Sequence, residues 1–141
     1  MFAFLLLPAC SGDSTGAGGL SVKLDLPGTV VGTWADPGQI LNCRPEMTVT
    51  ATGQGKAVWT GGTSHFTAGY GDYDFTYTAS DVAFMVGAPE ISAGQTLTVV
   101  LPRSGYATFH VSVKFNYTVD GTGQTGSASA GFDCKAPPGS P

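Results

Sequence analysis

The stretch Ala107-Thr108-Phe109-His110-Val111-Ser112-Val113-Lys114-Phe115-Asn116-Tyr117-Thr118-Val119 alternates apolar and polar side chains without a break. Successive side chains of an extended chain point to opposite faces, so a period of two predicts a long strand with one face buried and one wet. Weaker copies of the pattern lie on both sides. They are Leu20, Val22, Leu24, Leu26; Met47, Val49, Ala51; Phe66, Ala68, Tyr70; Tyr73, Phe75, Tyr77; Val82, Phe84, Val86; Leu97, Val99, Leu101; and Ala128, Ala130, Phe132, Cys134. Gly, Pro, Asn and Asp gather between them, and no segment shows a convincing period of 3.6. The expected fold is all-β, an antiparallel two-sheet sandwich of about seven to nine strands over residues 20–135. Residues 136–141 are expected to form a disordered tail.

The chain has 141 residues, 42% hydrophobic and 11% charged, enough for one domain with an ordinary core. Its formal net charge is -4, and the basic residues Lys23, Arg44, Lys56, Arg103, Lys114 and Lys135 are scattered. Nucleic-acid binding needs a basic stripe to neutralise phosphates, so no nucleic-acid partner is expected.

Residues 2–7, Phe2-Ala3-Phe4-Leu5-Leu6-Leu7, are apolar but too few to span a bilayer as a helix. They read as the apolar region of an export signal. The run ends in Leu7-Pro8-Ala9-Cys10, which resembles the lipobox of bacterial lipoproteins, although no Lys or Arg precedes it and Pro8 is unusual there. The resemblance implies that residues 1–9 are a signal peptide and that the Cys10 sulfur carries a lipid. The small polar residues 11–19 then form a tether, and the protein sits at the bacterial cell envelope with the membrane as a partner. With Cys10 so used, Cys43 and Cys134 remain as an even pair in an oxidising compartment, and a disulfide is their simplest use. Both share parity with core positions, Cys43 with Met47 and Val49, Cys134 with Phe132. The order Cys43, Trp59, Cys134 resembles an immunoglobulin-like sandwich, which implies a tryptophan packed on an inter-sheet disulfide.

Most motifs that spell chemistry lack its structural context. Gly12-Asp13-Ser14-Thr15-Gly16 matches a nucleophile elbow, but an elbow needs a strand before it and a helix after it, and here a tether follows. Gly121-Thr122-Gly123-Gln124-Thr125-Gly126 matches a dinucleotide fingerprint with no following helix, and reads instead as the hairpin joining the last two strands. No cofactor is expected. His65 and His110 read as surface histidines. Asp72, Asp74 and Asp81 could supply oxygen ligands to Ca²⁺, but they lack the calcium-loop spacing and read better as solvated turn residues.

Aromatic rings remain. Trp59, Tyr70, Tyr73 and Tyr77 fall largely on core parity, whereas Trp34 and Tyr106 are the rings expected to be exposed. Trp34, with Asp36, Gln39 and Tyr106, could stack and hydrogen-bond a sugar. The expected function is a non-enzymatic binding or structural module that meets another envelope protein through loops or sheet edges. The alternatives are a carbohydrate-binding module and a small envelope hydrolase built on a serine, a histidine and an aspartate.

Overall fold

The computed structural model describes residues 19–35 and 39–139. Cys10, the tether up to residue 18, Asp36 and the elbow-like motif lie outside the described residues.

The quoted stretch forms the central strand. The strands are β1 (Ser21–Asp25), β2 (Thr29–Val31), β3 (Thr33–Ala35), β4 (Ile40–Cys43), β5 (Glu46–Thr52), β6 (Lys56–Ala68) and β7 (Gly71–Thr78). One helix, α1 (Ala79–Val86), precedes β8 (Glu90–Ser92), β9 (Thr96–Val100), β10 (Arg103–Gly105), β11 (Phe109–Val119) and β12 (Thr125–Lys135). The chain is therefore mostly β. It has twelve strands in the described residues rather than seven to nine, and three sheets rather than two. The long sheet runs β2-β12-β11-β6-β7, with β8 added to one end of β6; two short sheets run β1-β5-β9 and β10-β4-β3. Every pairing is antiparallel except that of β2 with β12.

All three sheets and α1 bury their apolar sides in one core. Phe109, Val111, Val113, Phe115, Tyr117 and Val119 of β11 share this core with Val22, Leu24, Met47 and Val49 of one short sheet, Leu41 and Cys43 of the other, and Leu20 just before β1. The alternation expected for β11 therefore holds along its whole length. β11 leads into β12 through a hairpin in which Gly121 and Gly123 have φ of 80° and 75°, as expected for residues 120–126.

Three differences from the sequence reading have physical causes. Val82, Phe84 and Val86 lie in a helix, not a strand: Val82 and Val86 are buried one helical turn apart, while Phe84 is 88% exposed. Thr78 and Asp81 form the reciprocal capping box at its start, and Gly87 closes it with φ 89°. A Thr-x-x-Asp pair before an apolar run is the signal that was legible there.

A bulge at Thr60 shifts the register of β6 against β11, between the pairs Asn116↔Gly61 and Tyr117↔Trp59. Core parity switches from Ala57 and Trp59 to Gly62, Ser64 and Phe66 in one continuous strand.

Cys43 and Cys134 form a disulfide joining β4 to β12, across 91 positions of sequence. Trp59, however, packs edge-on against Phe115 and Tyr117 and donates its Nε1 hydrogen to the Ala88 carbonyl at 3.0 Å. Cys134 pairs with Phe109, at the other end of β11 from Tyr117, roughly 27 Å away at about 3.4 Å per residue. The tryptophan and the disulfide thus anchor opposite ends of the core. At the C-terminus, Ala136 still packs on the core.

Candidate functional site

β7 is the last strand of the long sheet, and what surrounds it makes the candidate site. Its inward residues Tyr73, Phe75 and Tyr77 follow core parity, opposite Phe66, Ser64 and Gly62 of β6. Among the described residues no strand continues the sheet beyond β7, and Tyr73 is 44% and Phe75 51% exposed. The short sheet β10-β4-β3 stands across from them and leaves a cleft of about 620 Å³. Phe66, Tyr70, Tyr73, Phe75 and Tyr77 line one side, and Ile40, Arg103, Ser104, Gly105 and Tyr106 the other.

The rings of the cleft are rooted in the core. Phe132 meets Phe109 edge-on at 6.4 Å, Phe109 stacks on Phe66 at 4.7 Å, and Phe66 touches Tyr73 and Tyr70 at 6.0 and 6.3 Å. Tyr70 in turn meets Tyr106 edge-on at 5.8 Å, and its hydroxyl accepts the Tyr106 backbone N–H at 3.1 Å. Aromatic pairs of this kind contribute about 0.5–1.5 kcal/mol each beyond burial, so the exposed rings are held in place by buried ones. Gly105 makes the arrangement possible. A Cβ there would come within 2.7 Å of the Phe109 ring, 2.8 Å of the Tyr70 hydroxyl and 3.0 Å of the Phe66 ring.

The polar groups of the cleft are few and tethered. Arg103 donates from Nη1 to the Pro102 carbonyl at 2.7 Å and from Nη2 to the Tyr77 hydroxyl at 3.1 Å, beside Met85 Sδ. Ser104 donates its hydroxyl to Asn42. Past Arg103 a second hollow continues along Tyr77, Met85, Asp81 and Phe84, so apolar surface extends from Tyr106 to α1.

Of the residues singled out from the sequence, Tyr106 is at the rim of this cleft and 72% exposed, as expected. Trp34 lies instead on β3, partly buried against the core, and Gln39 is an exposed turn residue. Neither lines the cleft. The larger part of the site, Tyr70, Tyr73, Phe75 and Tyr77, was assigned to the core by parity. Parity shows which side of a strand is apolar but not whether anything covers it.

The outer face of the long sheet is polar and carries both histidines, each paired with an aspartate. His65 Nδ1 lies 2.5 Å from Asp74 Oδ1, and His110 Nδ1 lies 2.9 Å from Asp133 Oδ1. An ionised carboxylate only accepts, so the proton sits on each Nδ1. The hydrogen bond that His65 donates to Asp74 raises the His65 pKa above its ordinary value, against a smaller opposing effect of desolvation. Two members of a hydrolase triad are thereby assembled twice. Ser112 stands opposite His65 in register, yet no serine among the described residues is hydrogen-bonded to either ring, and all four paired side chains are roughly half exposed or more.

The three aspartates considered for Ca²⁺ go to separate partners or to solvent. Asp74 holds His65, Asp81 caps α1, and Asp72 is an exposed residue of β7. Among the described residues no group of three or more His, Cys, Asp or Glu is placed to hold a metal ion. No helix of the described residues is long and apolar enough to cross a membrane.

No protein-family model matches the chain, and no curated protein matches it either.

Proposed function

We propose that the chain is a non-catalytic binding module of the bacterial cell envelope, held to the membrane by a lipid on Cys10, and that its ligand lies in the cleft between β7 and β10. The observation that carries the reading is the cleft itself: an open surface, half of whose lining residues are aromatic, with Tyr70, Tyr73 and Tyr106 linked through Phe66 to the core, and which nothing in the described chain covers. The Cys43–Cys134 bond supports an oxidising compartment. The immunoglobulin-like reading enters here as a disulfide that ties one sheet to another within a displayed β domain.

Carbohydrate recognition is the second reading. Tyr73, Tyr70 and Tyr106 follow one another ring to ring across the cleft, at 6.2 and 5.8 Å, and their rings and hydroxyls suit the C–H faces and hydroxyls of a sugar. Hydrolysis is the weaker alternative, because the His–Asp pairs lie on the other face of the long sheet from the cleft.

The test has two arms. In a bacterial host, incorporation of a palmitate analogue and recovery in the membrane fraction are expected for the wild type and lost in Cys10→Ala. Purified protein is then screened on peptide and glycan arrays beside a Tyr106→Ala/Phe75→Ala variant. Hits that vanish in the variant support the cleft. Arrays on which the two proteins bind alike would remove it.

A further inference from the structure

Resting on the reading of the cleft as the ligand site, we infer that its occupant is an extended polypeptide segment. The segment adds as a strand to the free edge of β7, with apolar side chains directed into the cleft and basic side chains on the opposite face.

The backbone of β7 leads to this. Sheet edges in the described residues are formed by β1, β2, β3, β7, β8, β9 and β10, and by the part of β12 that β2 does not reach. β7 has eight residues and the other terminal strands three or five; β2 pairs only with Asp133–Lys135 of β12, but of the eight β12 residues it leaves unpaired, Thr125–Phe132, two are exposed, against six of eight in β7. In an antiparallel pair half of an edge strand's N–H and C=O groups point away from its neighbour, so β7 offers a row of unpaired groups along roughly 27 Å. Such an edge is ordinarily kept short, interrupted by proline, or covered. β7 contains no proline, and six of its eight residues are exposed. Among ligands, an extended backbone is the one whose own alternating donors and acceptors match such a row and replace the water on it, which is the chemistry of strand addition.

The two faces of β7 set the side chains of the partner. A strand laid beside β7 alternates between a position next to Tyr73, Phe75 or Tyr77 and a position next to Asp72, Asp74 or Thr76. The first set opens into the cleft and takes apolar groups. The second set faces two carboxylates, and Asp74 is 82% exposed even with His65 bound to it. Opposite charges across a strand pair attract and like charges repel, which selects lysine or arginine there. The same argument disfavours a second copy of this chain. Antiparallel pairing of β7 with itself centred on Tyr73, Asp74 or Phe75, the registers that keep its acidic faces on one side, sets the two copies' carboxylates directly or diagonally opposite one another, on chains of net charge -4.

The experiment uses the full chain, isotope-labelled, titrated with the synthetic peptide Lys-Val-Lys-Phe-Lys-Val-Lys-Phe. Amide exchange and shifts are followed at Gly71–Thr78. Three controls accompany it: the same peptide fully N-methylated, the acidic peptide with Glu for Lys, and the Asp72→Lys/Asp74→Lys variant. The expected result is protection of alternate β7 amides by the basic peptide and no binding of the N-methylated one. The charge-reversed variant should prefer the acidic peptide by about tenfold, the sum of a few cross-strand pairs changing sign.

Binding in the cleft that tolerates N-methylation, or ignores charge reversal, overturns strand addition. Oligosaccharides that shift Tyr70 and Tyr106 while no peptide protects β7 also overturn it, and leave the cleft as a ligand site. Failure of peptides and sugars alike to perturb any cleft residue removes both readings.

Discussion

Breaking the Cys43–Cys134 bond should destabilise the domain strongly and loosen one wall of the cleft first. The bond closes a loop spanning 91 positions. Loop-closure entropy, growing with the logarithm of loop length, gives about 4.6 kcal/mol at 25 °C. Both cysteines are buried, so their reduced thiols find no hydration in the folded state to offset the loss. For a domain of about 120 residues the unfolding entropy near 60 °C is about 0.25 kcal/mol/K, and 4.6 kcal/mol converts to a Tm lower by about 18 °C. The local effect follows from where the bond lies. Cys43 belongs to the three-stranded sheet β10-β4-β3, and Arg103 pairs with it in register. This small sheet carries Ile40 and Arg103–Gly105, which line the cleft across from β7, and leads into Tyr106. Thermal unfolding by circular dichroism with and without a non-thiol reductant reads the global effect. Amide exchange at residues 40–43 and 103–105 reads the local one, and those amides should lose protection before those of β11. A Tm that falls by less than about 5 °C, with exchange unchanged at the small sheet, would refute the reasoning.

Gly105→Ala should cost about 1–3 kcal/mol by overpacking, since the new Cβ would press on three aromatic side chains at 3.0 Å or less; urea melts measure it, and tyrosine shifts should show Tyr70 displaced. Asp74→Asn should lower the His65 titration, followed by NMR at Cε1, toward the ordinary histidine range, with the charge of Asp72 still acting on it. Because the folded-state pKa of His65 is raised, the pair stabilises fully below the unfolded value of about 6.5 and ceases to do so as pH rises through the folded value. The stability gap between wild type and Asp74→Asn should therefore be larger at about pH 5.5 than at about pH 8.5, and equal gaps would show that the pair is not coupled to folding. Thr78→Ala removes the hydroxyl that accepts the Asp81 N–H at 3.1 Å and should cost about 1 kcal/mol in chemical denaturation.

Much of the fold was legible because β11 repeats one physical instruction along its length, apolar then polar, and its neighbours repeat it more weakly. The cysteine pairing was legible for a similar reason: both thiols share parity with core residues on their own segments. The helix was misread because Val82, Phe84 and Val86 satisfy two periods at once. Only the capping pair Thr78 and Asp81 distinguished them, and Phe84 turned out to be the residue left outside. Trp59 and Phe66 lie on opposite parities of one strand, and the Thr60 bulge is what brings both to the core. An inserted residue of that kind leaves no mark in composition or spacing.

The candidate site shows the same division most clearly. By itself the sequence determined that Tyr73, Phe75 and Tyr77 share one apolar face and that Asp72, Asp74 and Thr76 share the opposite one, because alternation is a local property of an extended chain. Only the tertiary structure decided that β7 is the edge of its sheet, that β10 stands across an open cleft from it, and that rings suited to a core are left exposed. Which side of a strand is apolar is settled by neighbours two residues away; what covers that side depends on segments thirty residues distant, whose placement is fixed when all three sheets close on the common core.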